Sequence, residues 1–261
     1  MPDHTGPERR TVGGFEVIAL EDAAGPFMTS REEAFPDATA AQWADADAFD
    51  PAARTAAGEW WLRFRSFAVR RGDGPVTLVD AGVGPVGAPA SDWAPVPGRL
   101  PDELAAAGIR PADVTAIVLT HLHSDHLGWA VPGGSPFVEA RVVVPRADVA
   151  AWTVARPDDD PLVAPLRAQD RLEVVEGDVA LAPGLRLVAT PGHTPGHQSV
   201  LVEDSLLLAG DLLVHAVQLQ HPELAYAYEA DPELARRSRQ RWLERDVDLA
   251  PSHLGRAFVR P

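Results

Sequence analysis

The sequence predicts an α/β protein of four layers, with two mixed β-sheets packed face to face and helices on the outer faces. Three observations predict it. Strands followed by a helix occur twice along the 261 residues, which suits two sheets each covered on one side. The run VTAIVLT (114–120) is short, apolar and β-branched, as a buried strand is. A second series of short strands from 172 is punctuated by Gly, Asp and Pro, the pattern of a meander. The length and the 46% hydrophobic content suffice for one domain, 1–261, around a substantial core.

Each element follows in order. GFEVIAL (14–20) predicts a first strand, and the polar, Ala- and Asp-rich stretch 21–59 contains helical pieces at 31–34 and 39–47. WWLRFRSFAVRR (60–71) and VTLVDAG (76–82) flank the turn signal GDG and read as a hairpin with Asp80 at a strand end. A Pro- and Gly-rich loop (84–98) leads to a helix at 100–107 ended by Gly108. The strand at 114–120 comes next, then a buried strand at 140–145 and a helix at 146–155. LEVVEG, VALAPG, LRLVATPG, QSVLVED and SLLLAGD form the five-stranded meander, and a last helix at 231–245 starts from Asp231 as N-cap.

Composition narrows the chemistry. With no cysteine there is no disulfide, no thiolate ligand and no cysteine nucleophile, so any metal is held by imidazole and carboxylate. All 23 basic residues are arginine, which removes lysine as a Schiff-base former or general base. A net charge of -15 argues against nucleic acid as a partner. No apolar run reaches the ~18–20 residues that span a bilayer, so no membrane partner is expected. The opening MPDHTGPERRTVGG has no apolar core of a secretory signal, and the cytoplasm is the expected compartment.

VLTHLHSDHLGW (118–129) places His121, His123, Asp125 and His126 within six residues at the end of a buried strand. Such crowding is costly unless something satisfies the side chains, and a pair of metal ions does so. Further signals each follow a predicted strand: His193 in TPGHTPGH, Asp211 in LLLAGD and His253 in APSHLG.

These residues together resemble the metallo-β-lactamase-fold superfamily, from about residue 60 to the C-terminus. The resemblance implies a ligand set of His121, His123 and His193 for one metal, and Asp125, His126 and His253 for a second, with Asp211 bridging. It makes 21–59 a family-variable N-terminal insertion. Zinc is the expected metal, with manganese, iron or cobalt as alternatives. Two ions ~3.5–4 Å apart share a hydroxide made available near neutral pH, which attacks a carbonyl or phosphorus. Asp125 and Asp211 are the expected catalytic carboxylates, Asp125 also accepting or relaying a proton.

Within the superfamily, lactamases with a cysteine ligand are excluded. Glyoxalase II resembles the chain around THLHSDH and TPGHTPGH, but its helical glutathione domain has no room in the eight residues after His253. The closest resemblance is to the lactonase and organophosphate-hydrolase branch. Acyl-homoserine lactonases of that branch carry a Tyr where this chain has Val214. The expected activity is opening of a small lactone or cleavage of an ester. The alternatives are a thioesterase or other acyl hydrolase in a biosynthetic pathway, a one-iron oxygenase, and a non-catalytic metal-binding protein.

Around the ligands, Asp80 is expected to brace the metal loop and His197 to buttress its own. Trp129 is expected at the cleft mouth, with Trp60, Trp61 and Trp93 as further candidates. His215, Gln218 and His221 form either a pocket wall or an exposed loop. The expected partner is a small-molecule substrate, and the resemblance implies a homodimer.

Overall fold

A computed structural model of the chain describes residues 6–261, so the first five residues of the stretch inspected for a signal lie outside the described residues. The chain begins with a hairpin of β1 (Glu8–Val12) and β2 (Phe15–Pro26), followed by two capped helices, α1 (Arg31–Ala34) and α2 (Ala40–Phe49). Ser30 and Thr39 each accept a hydrogen bond from the third residue of the helix they start, and that residue's side chain returns the bond. Strands β3 (Trp61–Arg71) and β4 (Val76–Val79) form the expected hairpin. Helix α3 (Leu100–Ala106), strand β5 (Val114–Val118) and the one-turn α4 (Ser124–Leu127) follow.

The chain continues through β6 (Arg141–Pro145), α5 (Arg146–Ala155), α6 (Val163–Ala168) and β7 (Leu172–Val175). Strands β8 (Val179–Ala182), β9 (Leu185–Ala189), β10 (Gln198–Val202) and β11 (Leu206–Gly210) come next. Helix α7 (Ala216–Gln220), helix α8 (Pro232–Leu243) and strand β12 (Asp248–Pro251) complete the chain.

One sheet has seven strands in the order β1-β2-β3-β4-β5-β6-β7, antiparallel as far as β4 and parallel beyond it. The other has five strands in the order β12-β11-β10-β9-β8, with only β11 and β12 parallel. Both sheets are therefore mixed. Val17, Phe67 and Val118 from the first sheet meet Leu187, Val200 and Leu208 from the second to form the central core. Outside the first sheet, α3, α5 and α6 pack Leu104, Trp152 and Leu166 onto Ile117 and Val142. Outside the second, Trp242 of α8 and Val217 of α7 share a core with Trp43 of α2 and Leu207. These are the four expected layers, and burying both sheets on two faces is what gives their strands continuous apolar sequence.

Three features depart from expectation. β1 is an added edge strand, and its Arg-rich polar sequence hides the alternation that marks a strand. The expected five-stranded meander is divided: β7 pairs in parallel with β6 in the first sheet, and only β8 to β11 form a meander. Strand composition carries no label of partner. After the helical crossover α5–α6, the next strand joins its predecessor in parallel, as crossovers do. α4, α6 and α7 are too short for a helical period to register. Among the described residues no helix is long and apolar enough to cross a membrane.

Candidate metal centre

Loops after β5, β9, β11 and β12 converge at one edge of the two sheets. Each brings its residues there for a local reason. After β5, Asp80 at the end of β4 accepts from the Thr120 backbone N–H at 2.8 Å and the Thr120 hydroxyl at 3.0 Å, which fixes the turn into the histidine cluster. After β9, Gly192 stands where a side chain would collide with the Ala235 backbone of α8, so the GH pair needs glycine. After β11, Gly210 has φ +53°, and a Cβ there would meet Thr120 and His197. The same backbone twist turns Asp211 into the site. After β12, Arg65 donates to the carbonyls of Leu254 and Gly255, and Asp50 accepts from Gly255 N–H at 2.6 Å, holding His253 in place.

Two groups of donor atoms result. One comprises His121, His123, His193 and Asp211, the other Asp125, His126 and His253, and within each the atoms lie no more than 4.8 Å apart. Asp211 joins them. Its Oδ2 is 3.2 Å from His193 Nε2 and 3.9 Å from His121 Nε2, while its Oδ1 is 3.1 Å from His253 Nε2 and 3.2 Å from His126 Nε2. Asp125 Oδ2 lies 3.5 Å from both His126 Nε2 and His253 Nε2.

Hydrogen bonds behind the rings assign the tautomers. His126 Nδ1 donates to Asp80 Oδ2 at 2.8 Å, and His253 Nδ1 donates to the Arg63 carbonyl at 2.6 Å. Because the Thr120 hydroxyl donates to Asp80, His121 Nδ1–H donates to Thr120 Oγ1 at 3.0 Å. All three rings thus keep a proton on Nδ1 and turn Nε2 into the site, the orientation of metal-binding imidazoles. His121 Nε2 and Asp211 Oδ1 are buried without a hydrogen-bond partner among the described residues. His193 Nε2 and His123 Nδ1 face each other at 2.9 Å. The unpartnered, buried His121 Nε2 and Asp211 Oδ1 call for a cation, and imidazole with carboxylate is a donor set suited to divalent zinc or its neighbours. The residues fit a pair of metal ions.

Without an ion the electrostatics divide the site: burial lowers His126 and His253, but Asp211 and then Asp125 outweigh it and raise both above the usual histidine range. Burial, with neighbouring imidazoles, holds His121 and His193 well below the usual histidine range and therefore neutral. Burial alone would raise Asp211, but the surrounding His253 and His126 hold it well below the carboxylate range.

His123, Asp125, His193, Asp211 and His253 border a cavity of 310 Å³ whose walls are otherwise mostly apolar and aromatic, with Phe27, Trp60, Leu62, Trp93 and Val214 among them. Tyr226 completes one wall. Its ring stacks on His193 at 6.0 Å, and its phenol has no hydrogen-bond partner among the described residues. Burial, then the nearby Asp211 and Asp125, push that phenol upward, so it stays a donor.

The other sequence-predicted residues divide. Asp80 braces the metal loop. His197 is saturated, with Nδ1 3.0 Å from the Thr190 carbonyl and Nε2 accepting from Asp211 N–H at 3.0 Å, so it positions Asp211 and has no lone pair free for metal. Trp60 and Trp93 line the cavity, whereas Trp61 does not. Trp129 is not at the cleft mouth: its indole donates to Asp22 at 2.9 Å, turning the ring beneath the first sheet. His215 lies behind the wall, packed against Phe35, Trp43 and Trp60. His221 is neither ligand nor wall; it reaches outward to Asp45 at 3.3 Å. Gln218 is buried and bonds Glu229.

Besides Tyr226, three supporting positions were not anticipated. Asp148 accepts from Leu122 N–H, the Thr194 hydroxyl and Gly196 N–H, tying the HLHSDH loop to the TPGHTPGH loop. Asp22 lies at a bulge between Glu21 and Ala23, where the register shift turns its carboxylate inward to the Val83 and Leu100 N–H groups. Arg239 binds Glu229 at 2.8 Å and the Leu224 carbonyl, fixing the segment that carries Tyr226. A lone Asp or Arg outside a motif gives no signal in one sequence.

A four-layer αββα sandwich with paired His/Asp donor groups at its edge defines a class of folds built to hold a metal centre between two sheets. Residues 65–252 match the metallo-beta-lactamase superfamily, and the chain belongs to it. An N-acyl homoserine lactonase from Bacillus sp is 36% identical over 105 residues, 40% of this chain and 39% of that protein. The N-acyl homoserine lactonase AiiA of Bacillus thuringiensis subsp. kurstaki is 32% identical over 150 residues, 56% of each. The chain thus spans about half the length of the curated relatives it matches. Among solved structures, one described as the hydrolase AbOPH in the beta lactamase superfamily has a TM-score of 0.78 and 26% identity, over 96% of this chain and 91% of that one. AidC, a dizinc quorum-quenching lactonase solved with a product, shares the fold, with a TM-score of 0.76 at 20% identity over 97% and 92% of the two chains.

Proposed function

We propose that the chain is a dinuclear metal-dependent hydrolase that opens a small lactone or cleaves an ester, acting in the cytoplasm. The observation that carries the reading is Asp211, whose two oxygens each face one group of imidazole nitrogens at the floor of an apolar cavity. His121, His123, His193 and Asp211 would hold one ion, and Asp125, His126, His253 and Asp211 the other, as divalent zinc first of all. Such a pair supplies Lewis acidity towards a carbonyl oxygen and acidifies water to near neutrality.

The chain's own groups do the rest. Asp125 accepts a proton at its carboxylate and passes it to the departing alkoxide. Tyr226 offers its O–H to a substrate oxygen in the cavity. The aromatic walls exclude water and hold the acyl or alkyl part, which suits a small neutral ring or chain. The N-acyl homoserine lactonases among the relatives support the lactone reading. Val214 stands on the cavity wall at the position where that particular group is expected to carry a phenol, and Tyr226 contributes a phenol to the wall of the same cavity.

The test is elemental analysis of protein purified without chelator, followed by a panel of lactones, aryl esters and thioesters. About two ions per chain and metal-dependent turnover of a lactone or ester are expected. A single iron, or two metals with no hydrolysis of any member, defeats the reading.

A further inference from the structure

Away from the metal-site carboxylates, the cavity wall carries one charged side chain among the described residues, Arg156. Its position is built. Arg156 caps the C-terminal end of α5, its backbone N–H donating to the Trp152 carbonyl at 2.9 Å, where the helix favours a cation. The guanidinium lies over the Trp152 ring at 3.8 Å. That ring is itself fixed, because its indole N–H donates to Asp160 at 2.7 Å. Asp160 also accepts from three backbone N–H groups at 162–164 and is occupied by them. No carboxylate among the described residues pairs with Arg156, in a chain where acidic residues outnumber basic ones by 38 to 23. The same guanidinium also borders an adjoining cleft that shares Leu122, His123, His193 and Tyr228 with the main cavity. Two clefts thus meet at the metal site with one unpaired guanidinium between them.

We propose that Arg156 selects substrates carrying a carboxylate on the side away from the scissile ester, a half-ester or a carboxylated lactone. The inference rests on the hydrolase reading and names its substrate class. A guanidinium held over an aromatic ring keeps its N–H groups free to meet a carboxylate as a fork. Placed beside apolar walls, it attracts an anion more strongly than the same group in open solvent, and it does so locally in a chain whose overall field repels anions. The carboxylate would sit at Arg156 with the ester carbonyl over Asp211, so the group acts through binding and leaves the bond-breaking step untouched.

The experiment compares kcat/KM for two matched aryl esters, p-nitrophenyl butyrate and the p-nitrophenyl half-ester of glutaric acid, using the metal-loaded protein. Arg156→Ala, Arg156→Glu and Arg167→Ala are measured alongside, the last an exposed arginine on α6 outside both clefts. Wild type is expected to favour the half-ester. Arg156→Ala should lose roughly tenfold of that preference, through KM, with butyrate turnover retained. Arg156→Glu should reverse the preference, and Arg167→Ala should keep it. Equal handling of both esters by wild type and Arg156→Ala overturns the proposal and leaves the hydrolase reading standing. An equal loss in Arg167→Ala also overturns it, by reducing the effect to general charge. Turnover of neither ester defeats the hydrolase reading and this inference with it.

Discussion

Single residues at the centre act through what stands behind them. Asp80 touches no cavity atom, yet it holds both the Thr120 turn and the His126 ring. Its carboxylate keeps the His126 proton on Nδ1, leaving Nε2 as the donor. Asp80→Asn keeps the size but presents an N–H to one of these partners. Metal affinity should fall about 10- to 100-fold, as is usual when such an outer partner is lost. Competition with a chromogenic chelator measures it, and unchanged affinity would mean that the His126 tautomer is set elsewhere. His197 and Asp148 belong to the same scaffold, one through Asp211 N–H and the other through two loops. The ligand candidates were legible because His and Asp recur after strands in a fixed order. Their supports were mostly not, since an aspartate that accepts backbone N–H groups from distant loops looks like any other aspartate. Asp80, at a strand end just before a turn, and His197, inside the TPGHTPGH repeat, were the exceptions.

At the scale of an element, α7 shows how a short helix depends on its cap. His215 Nδ1 accepts from Val217 N–H at 3.0 Å, and Phe35, Trp43 and Trp60 enclose the ring. Burial, helped by the charge of Arg31, lowers its pKa to about 3. The unfolded chain has an ordinary imidazole near 6.5, so below that pH the unfolded state binds the extra proton first. Stability from this group is therefore full above about pH 6.5 and is lost as pH falls towards 3, by up to about 1.4 kcal/mol per pH unit. His215→Asn retains a cap but does not titrate. Urea titrations at pH 6, 5 and 4 should show a shallower decline for the variant, whatever its starting stability. Parallel declines would show that His215 titrates normally. Element legibility tracked length and composition. The strands at 60–71, 76–82 and 140–145 and the helices at 146–155 and 231–245 stood out, whereas the four- to six-residue helices α4, α6 and α7 did not.

For the molecule as a whole, the centre is a joint between the two sheets. His121 follows a strand of the first, and Asp211 and His253 follow strands of the second. Ions bound there would link the halves, so their removal should lower stability well beyond the loss of one loop. At free metal 100 times the dissociation constant, each ion contributes about 2.7 kcal/mol, or roughly 5–10 °C in Tm per ion for a chain of this size. Calorimetry with and without a chelator measures the difference. An unchanged Tm would mean that the imidazoles close on one another without a cation.

By itself the sequence determined the fold class, the family and the candidate ligands, because apolar runs, turn residues and the spacing of His and Asp are local signals. It also set the chemistry available, an imidazole and carboxylate site with no thiol and no lysine amine. Folding in three dimensions settles which sheet β7 joins, which tryptophans face the cavity, that His221 points away, and that Arg156 stands beside the candidate metal centre with no carboxylate partner among the described residues. Those properties depend on which surfaces meet across the chain, and a residue's neighbours at long separation leave no mark on the residue itself.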